Sequence, residues 1–212
     1  MPKIKLPTKT PHIDMTPMVD TFAVVLTFLL LTTTMRQPEP ANVDTPFSIS
    51  ETPTPDFNAM TFLLSPDGQV FMNFDNGPDT ILKYRPKILV EMGKRYGIEF
   101  NEFEQREFEK YPSSIGVPIG QMKEFLNIKE GSARNKLQTG IPLDSADNQL
   151  AMWIQYARTV NPNYQACIKG DSQTEFPVVK RVLDILQELN VKRFSLITNL
   201  EAAKINLEEI QQ

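Results

Sequence analysis

Reactive side chains are scarce in this 212-residue sequence, which contains one cysteine (Cys167) and one histidine (His12). A single cysteine excludes a disulfide framework, and one cysteine with one histidine excludes a zinc site built from these residue types. A Ser–His–Asp or Cys–His triad would have to recruit His12. We therefore expect neither an enzyme of these classes nor a bound metal ion or other cofactor.

Positive charge and glycine are also in short supply. The chain has 22 Lys and Arg against 26 Asp and Glu, a formal net charge of −4. A nucleic-acid surface needs clustered cations to neutralise phosphates, so no nucleic-acid partner is expected. Among the nine glycines, Gly116 and Gly120 form no phosphate-binding motif. The length suits one domain with a hydrophobic core and a smaller appendage.

One apolar run stands out near the N-terminus. Residues 18–35 contain twelve apolar residues, five threonines and one charged residue, Asp20. An 18-residue helix is about 27 Å long, close to the ~30 Å hydrocarbon thickness of a bilayer. Thr16 suits the N-cap and Pro17 the first helical position. The proline-rich sequence after Arg36 cannot continue a helix. The pattern predicts a transmembrane helix over residues 18–35.

The flanking charges predict its orientation. Lys3, Lys5 and Lys9 precede the run, and such residues are retained on the cytoplasmic side of a membrane. Residues 1–17 are therefore predicted to be a short cytoplasmic tail. Two alternatives stay open, a cleaved signal peptide and a buried helix of a soluble domain. The first lacks a small-residue cleavage motif, and the second has only polar, proline-rich flanks.

Asp20 is the candidate functional residue of this helix. A carboxylate in hydrocarbon costs ~2.5–3.5 kcal/mol and often marks an ion path. Ala23 and Thr27 share its helix face, and small or hydroxyl side chains suit contact with another helix. Between helices, desolvation would favour the neutral acid and allow proton loading and release. Alternatively, Asp20 sits in the first turn, where the helix dipole favours an anion, and the threonines bond their own backbone.

Residues 13–20 read Ile-Asp-Met-Thr-Pro-Met-Val-Asp and lead directly into the apolar run. This stretch resembles the ExbD/TolR family, small subunits of ion-driven motors in the inner membrane of Gram-negative bacteria. In that family a Thr-Pro pair precedes an acid just inside the only membrane helix. Residues 61–73 and 167–198 are similar to parts of its periplasmic domain. About seventy residues, near 79–148, are inserted relative to typical members, as in elongated Bacteroidota-type members.

The resemblance implies specific roles. Asp20 falls on the acid that carries the proton, Thr16 and Pro17 fall on the Thr-Pro pair, and Thr27 and Ala23 are candidate pathway or helix-contact residues. It implies an ExbB-like multi-helix subunit surrounding a dimer of this helix, and a TonB-like protein that receives the force. The chain would be a single-pass inner-membrane protein with a periplasmic C-terminal domain.

Several alternatives remain open at this point. The motor could energise TonB-dependent transport across the outer membrane, or it could be the equivalent Tol-type or gliding motor. The ion could be a proton or sodium. A rival hypothesis is a membrane-anchored binding module whose outer domain holds peptidoglycan or a partner protein.

The rest of the chain predicts an α+β periplasmic domain ending in a βαβ unit. Residues 36–58 contain five prolines and form an extended linker, of which residues 43–50 could pair as an edge strand with a partner or a twin subunit. Within the domain, residues 59–200, Cys167 is a lone buried thiol, and Trp153 with Tyr156 is a core aromatic pair. Residues 201–212 form a polar tail.

Periodicity and turn residues give the order of elements inside this domain. A hairpin turns at residues 66–68, and the final strand–helix–strand unit is expected to cross over in the right-handed sense. Residues 130–140 are predicted to be a polar loop. The remaining predicted elements are helices at 81–96 (with Ile81 on its apolar side), at 101–110, within 115–126 (starting near Pro118 and Gly120) and from 145 to before Pro162, then a strand at 164–169, a helix at 174–189 and a strand at 191–198.

Overall fold

The computed structural model of the chain divides into two compact units, residues 1–37 and residues 38–212. It describes residues 15–32, 39–50, 52–55, 57–77, 81–128, 130–144 and 147–201. Most of the predicted cytoplasmic tail with His12, the end of the predicted membrane span at residues 33–35, and the polar tail after residue 201 lie outside the described residues.

The described part of the first unit is one helix, α1 (Thr16–Thr32). The Val19 N–H donates to the Met15 carbonyl at 3.1 Å. Met15, and not Thr16, therefore takes the N-cap position. Pro17 still lies in the first turn, where its missing N–H breaks no helical hydrogen bond.

The second unit is built on a four-stranded sheet. Its strands are β2 (Ala59–Leu64), β3 (Val70–Phe74), β4 (Gln165–Gly170) and β5 (Phe194–Leu196), in the order β3-β2-β4-β5. The β2–β3 pair is antiparallel, and the β2–β4 and β4–β5 pairs are parallel. Gly68, at φ 76°, closes the β2–β3 turn by donating to the Ser65 carbonyl at 3.0 Å. The predicted hairpin and both C-terminal strands are thus confirmed.

Seven helices are described in total, and those of the second unit are α2 (Tyr84–Tyr96), α3 (Glu102–Lys110), α4 (Met122–Asn127), α5 (Gly131–Leu137), α6 (Gln149–Val160) and α7 (Phe176–Glu188). A 3₁₀ turn, Ile119–Gln121, precedes α4. Alternate residues of the strands, including Phe62 and Met72, join the apolar faces of these helices in one core. Because successive side chains of a strand point to opposite faces of the sheet, these alternate residues share one face, and the helices pack against it.

Aromatic residues fill the centre of that core. Trp153 is fully buried and stacks on Phe108 with ring centroids 6.0 Å apart, and Phe74 lies 6.1 Å from Trp153. The core interpretation of Trp153 is confirmed, while Tyr156 is only partly buried at the margin. Cys167 is buried on the opposite face of the sheet as a free thiol, and burial raises its pKa.

Two local predictions are wrong. Residues 131–137 form helix α5, where a loop was expected. The Arg134 guanidinium donates to the carbonyls of Leu126 (3.2 Å) and Ile128 at the end of α4, and this contact with the preceding helix holds the polar helix in place. Ile81 is 80% exposed and precedes α2, because Lys83 has a φ of 45° that a right-handed helix cannot continue.

Part of the predicted linker is bound to its own domain. Lys169 Nζ lies 2.6 Å from a Glu39 carboxylate oxygen, and the Asp44 N–H donates to Asp171 Oδ2 at 2.7 Å. Strand β1 (Phe47–Ser48) pairs in parallel with β6 (Asn199–Leu200). The predicted strand pairing of residues 43–50 therefore occurs, but within the same chain.

Arg85 joins α2 to the end of α3 inside the core. Its Nη1 donates to the carbonyls of Tyr111 (2.5 Å) and Glu109 (3.4 Å), and its guanidinium lies 5.3 Å from the Phe108 ring centroid. A cation at a helix C-terminus is favourable because the last carbonyls carry partial negative charge. Burial lowers the pKa of Arg85 to about 10.

We expect Arg85→Ala to lower the free energy of unfolding by ~2–4 kcal/mol, since it removes buried charged hydrogen bonds and leaves a cavity. Arg106→Ala is the matched control on α3, because Arg106 is exposed and makes only a 3.6 Å surface ion pair with Glu102. The control should change stability by less than ~0.5 kcal/mol. Urea unfolding measures both, and equal losses would contradict the assigned role of Arg85.

Candidate functional site

The first candidate site is the Asp20 carboxyl group on α1. No acidic residue lies in the first turn of this helix, which begins at Thr16. Asp20 therefore lies just beyond the first turn, and its interpretation as a first-turn residue is wrong. Because the helix dipole acts mainly within the first turn, it gives little reason for an acid at this position.

The surroundings of Asp20 are apolar and uncovered. All described side chains of α1 are exposed, and within residues 15–32 no hydrogen bond or ion pair to the Asp20 carboxylate is found. Large apolar side chains surround the helix on every face: Met18, Val19, Phe22, Val24, Val25, Leu26, Phe28, Leu29, Leu30 and Leu31. A surface this apolar requires cover by lipid or by other protein.

The helix repeat places Ala23 and Thr27 on the same face as Asp20. The Thr27 hydroxyl donates to the carbonyls of Ala23 and Val24, both at 2.9 Å. Thr21 likewise donates to the Pro17 carbonyl at 2.8 Å. Thr21 and Thr27 therefore bond their own helix backbone, as the alternative interpretation of the threonines predicts. With its proton directed at these carbonyls, the Thr27 hydroxyl can take part in a proton path only by accepting a hydrogen bond.

None of the helices in the described ranges has the length and apolar character that crossing a bilayer requires. The same ranges contain no group of three His, Cys, Asp or Glu side chains arranged to hold a metal ion.

The second candidate site is the outer edge of β5. The Ile197 N–H donates to the Ile168 carbonyl of β4 at 2.8 Å. In a parallel ladder the bonded residues alternate along a strand, so Ser195 also directs its N–H and carbonyl toward β4. Phe194 and Leu196 then direct theirs away from the sheet. In the described part of the chain, no residue bonds to these four outward groups.

An open groove of about 490 Å³ runs along this edge. One wall is residues 194–198, and the other is formed by linker residues 48, 50 and 52–54. Phe194 and Leu196 are 40% and 61% exposed. Among the residues that the structure describes, the lining carries hydroxyl and apolar side chains and no charged residue: Ser48, Ser50, Thr52, Pro53, Thr54, Phe194, Ser195, Leu196, Ile197 and Thr198.

This edge suits the addition of an extended peptide. Free N–H and carbonyl groups on alternate residues of an edge strand can pair with one further strand. The uncharged walls favour an uncharged segment with apolar side chains. Sequence analysis predicted the strand but missed the site. The alternation of Phe194, Ser195 and Leu196 in the last strand was the one pattern that could have indicated it.

Comparison with protein families matches residues 7–201 to the family described as biopolymer transport protein ExbD/TolR. The match includes the segment around Asp20 and nearly all of the second unit, and the chain belongs to the ExbD/TolR family. No curated protein and no solved structure matches the chain.

Family membership fixes the general class of the protein. ExbD/TolR members are motor subunits of biopolymer transport complexes and not enzymes. The mixed helix and sheet structure of the second unit agrees with that family. The specific roles of Asp20, Thr16, Pro17, Ala23 and Thr27 stay predictions.

The geometry of β5 gives a stability test. Ser195→Pro removes an N–H directed at β4 and should lower the free energy of unfolding by ~1–3 kcal/mol. Leu196→Pro removes an N–H that faces the groove, which an edge strand tolerates, so its loss should be clearly smaller. Thermal or urea unfolding compares the two. If Leu196→Pro were the more damaging variant, the assigned edge would be wrong.

Proposed function

We propose that this protein is the proton-channel-forming subunit of an inner-membrane motor that energises TonB-dependent transport across the outer membrane. The observation that carries this proposal is a single acid, Asp20, on a helix whose other large side chains are apolar and exposed. Family membership supports a motor subunit in general. The remaining details are argued from the chemistry of α1 and from the β5 edge.

Lipid and partner helices are the cover that α1 requires. Residues 18–35 are proposed to cross the inner membrane, with the lysines of the tail in the cytoplasm and the second unit in the periplasm. An ExbB-like multi-helix subunit would surround two copies of α1. Ala23 and Thr27 give the Asp20 face the small side chains that close helix contact needs.

Asp20 would couple ion movement to helix position. As a carboxylate it is costly to hold away from water and is drawn to polar groups of the surrounding subunit. Protonation removes the charge, so the helix can take a different position within the ring. Each charge that crosses the membrane supplies ~2.3 kcal/mol per 100 mV. Alternate access of Asp20 to the two sides would let a few protons drive one mechanical step.

We expect Asp20→Asn to abolish energised import, because the amide cannot carry a proton. The measurement is siderophore or vitamin uptake in cells whose own copy is deleted, with the variant level in the membrane checked by immunoblot. Asp67→Asn is the matched control, since Asp67 is exposed in the hairpin turn of the second unit. The control should import normally.

The same experiment separates the rival function. A membrane-anchored module that only holds peptidoglycan or a partner would tolerate Asp20→Asn, because its helix serves as an anchor alone. Normal uptake with this variant would therefore end the motor proposal and favour the binding module. The β5 groove is the observation that supports this second function.

We further propose that the β5 edge receives the TonB-like protein. Such contact would transmit force through several backbone hydrogen bonds. Leu196→Pro should reduce co-purification of the tagged TonB-like protein with the full chain, because it removes an outward N–H. Leu196→Ala keeps that N–H and is the control for the lost side chain. Undiminished co-purification with Leu196→Pro would place the contact elsewhere.

A further inference from the structure

The opposite edge of the sheet, at β3, is occupied by the chain itself. Asp75 N–H donates to the Ala59 carbonyl at 2.9 Å and Ser65 N–H to the Gln69 carbonyl at 3.0 Å. Because bonded pairs alternate in an antiparallel ladder, Val70, Met72 and Phe74 direct their backbone groups away from β2. A bare edge of this kind would be a template for another strand.

Residues between β3 and α6, here called the helical segment (residues 81–148), take up these groups. Met72 N–H donates to the Ile115 carbonyl at 2.9 Å, and Ile115 N–H donates back to the Met72 carbonyl at 2.7 Å. Ile141 N–H donates to the Val70 carbonyl at 2.8 Å. The helical segment thus satisfies both groups of Met72 and the carbonyl of Val70.

The residues of the helical segment that cover β3 do not themselves form a new open strand edge. Gly116 N–H donates to the Gln138 side-chain oxygen at 3.1 Å, and the Gly116 carbonyl accepts from Gly140 N–H at 2.8 Å. Gln138 is itself buried. A Cβ at position 116 would collide with the Phe71 ring, so the glycine permits this close approach. The hydrogen-bonded ladder therefore ends at Gly116, because both backbone groups of this residue bond to other groups of the helical segment.

We propose that the helical segment is an internal edge cap. It occupies three outward backbone groups of β3, both groups of Met72 and the carbonyl of Val70, and prevents a second copy of the chain from pairing there. In the part of the chain that the structure describes, the sheet is then left with β5 as its open edge for an extended partner segment. This role for residues 81–148 is independent of which partner binds at β5 and of proton transfer at Asp20.

The test uncaps β3 in the full chain. Ile115→Pro removes the donor to the Met72 carbonyl, and the milder Ile141→Pro removes only the donor to the Val70 carbonyl. Gly131→Pro is the matched control in the same segment, because position 131 is the first residue of α5, where proline is favoured and no atom lies near an added Cβ. Light scattering in detergent gives the molecular mass of each variant.

The uncapped variants should shift from the wild-type mass to a multiple of it, and Gly131→Pro should not. A folded uncapped variant with the wild-type mass would overturn the proposal. If both uncapped variants unfold, hydrogen exchange measured on the wild-type chain provides the test instead. The Met72 amide should exchange as slowly as core amides and the outward Leu196 amide much faster. Equally fast exchange at both positions would also overturn the cap.

Discussion

The parallel pairing of β2 with β4 is the constraint on which the second unit depends. It brings residues 59–64 beside residues 165–170 in continuous register, so the chain that follows β3 must leave the sheet and return. Parallel neighbours require such a crossover. The returning helices cover one face of the sheet, and their apolar sides meet at Phe108 and Trp153. Arg85 is buried at this junction, where it donates to the Glu109 and Tyr111 carbonyls at the end of α3.

The same pairing makes the two sheet edges unequal. With β2 and β4 in the middle, β3 and β5 are the outer strands. The helical segment returns past β3 and bonds to it, whereas an open groove lies beside β5 in the described part of the chain. A family member of this size therefore has a defined side from which an extended partner can join the sheet. This asymmetry comes from the path of the chain and needs no special residue type beyond Gly116.

In the first unit the balance is between one charge and its apolar surroundings. The exposed side chains of α1 favour a nonaqueous environment, while the Asp20 carboxylate resists it. In the proposed function, uptake of a proton would remove that conflict and loss of the proton would restore it. The proposed motor would use such a group, whose energy in the membrane depends on its charge. The contacts at Lys169 and Asp171 hold the linker residues Glu39 and Asp44 against the second unit.

The sequence by itself determined the features that depend on neighbouring residues: the hairpin around Gly68, most helices, the buried Trp153 and Cys167, and the Thr-Pro-acid motif that led to the family. These follow from turn chemistry and periodicity, which act over a few positions. Helix α5, the exposed Ile81, the docked linker and the unequal sheet edges were decided only by tertiary structure. Arg134 pairing with Glu107, or Ile115 bonding to Met72, joins residues far apart in the chain, and no local pattern records which distant group a segment will meet.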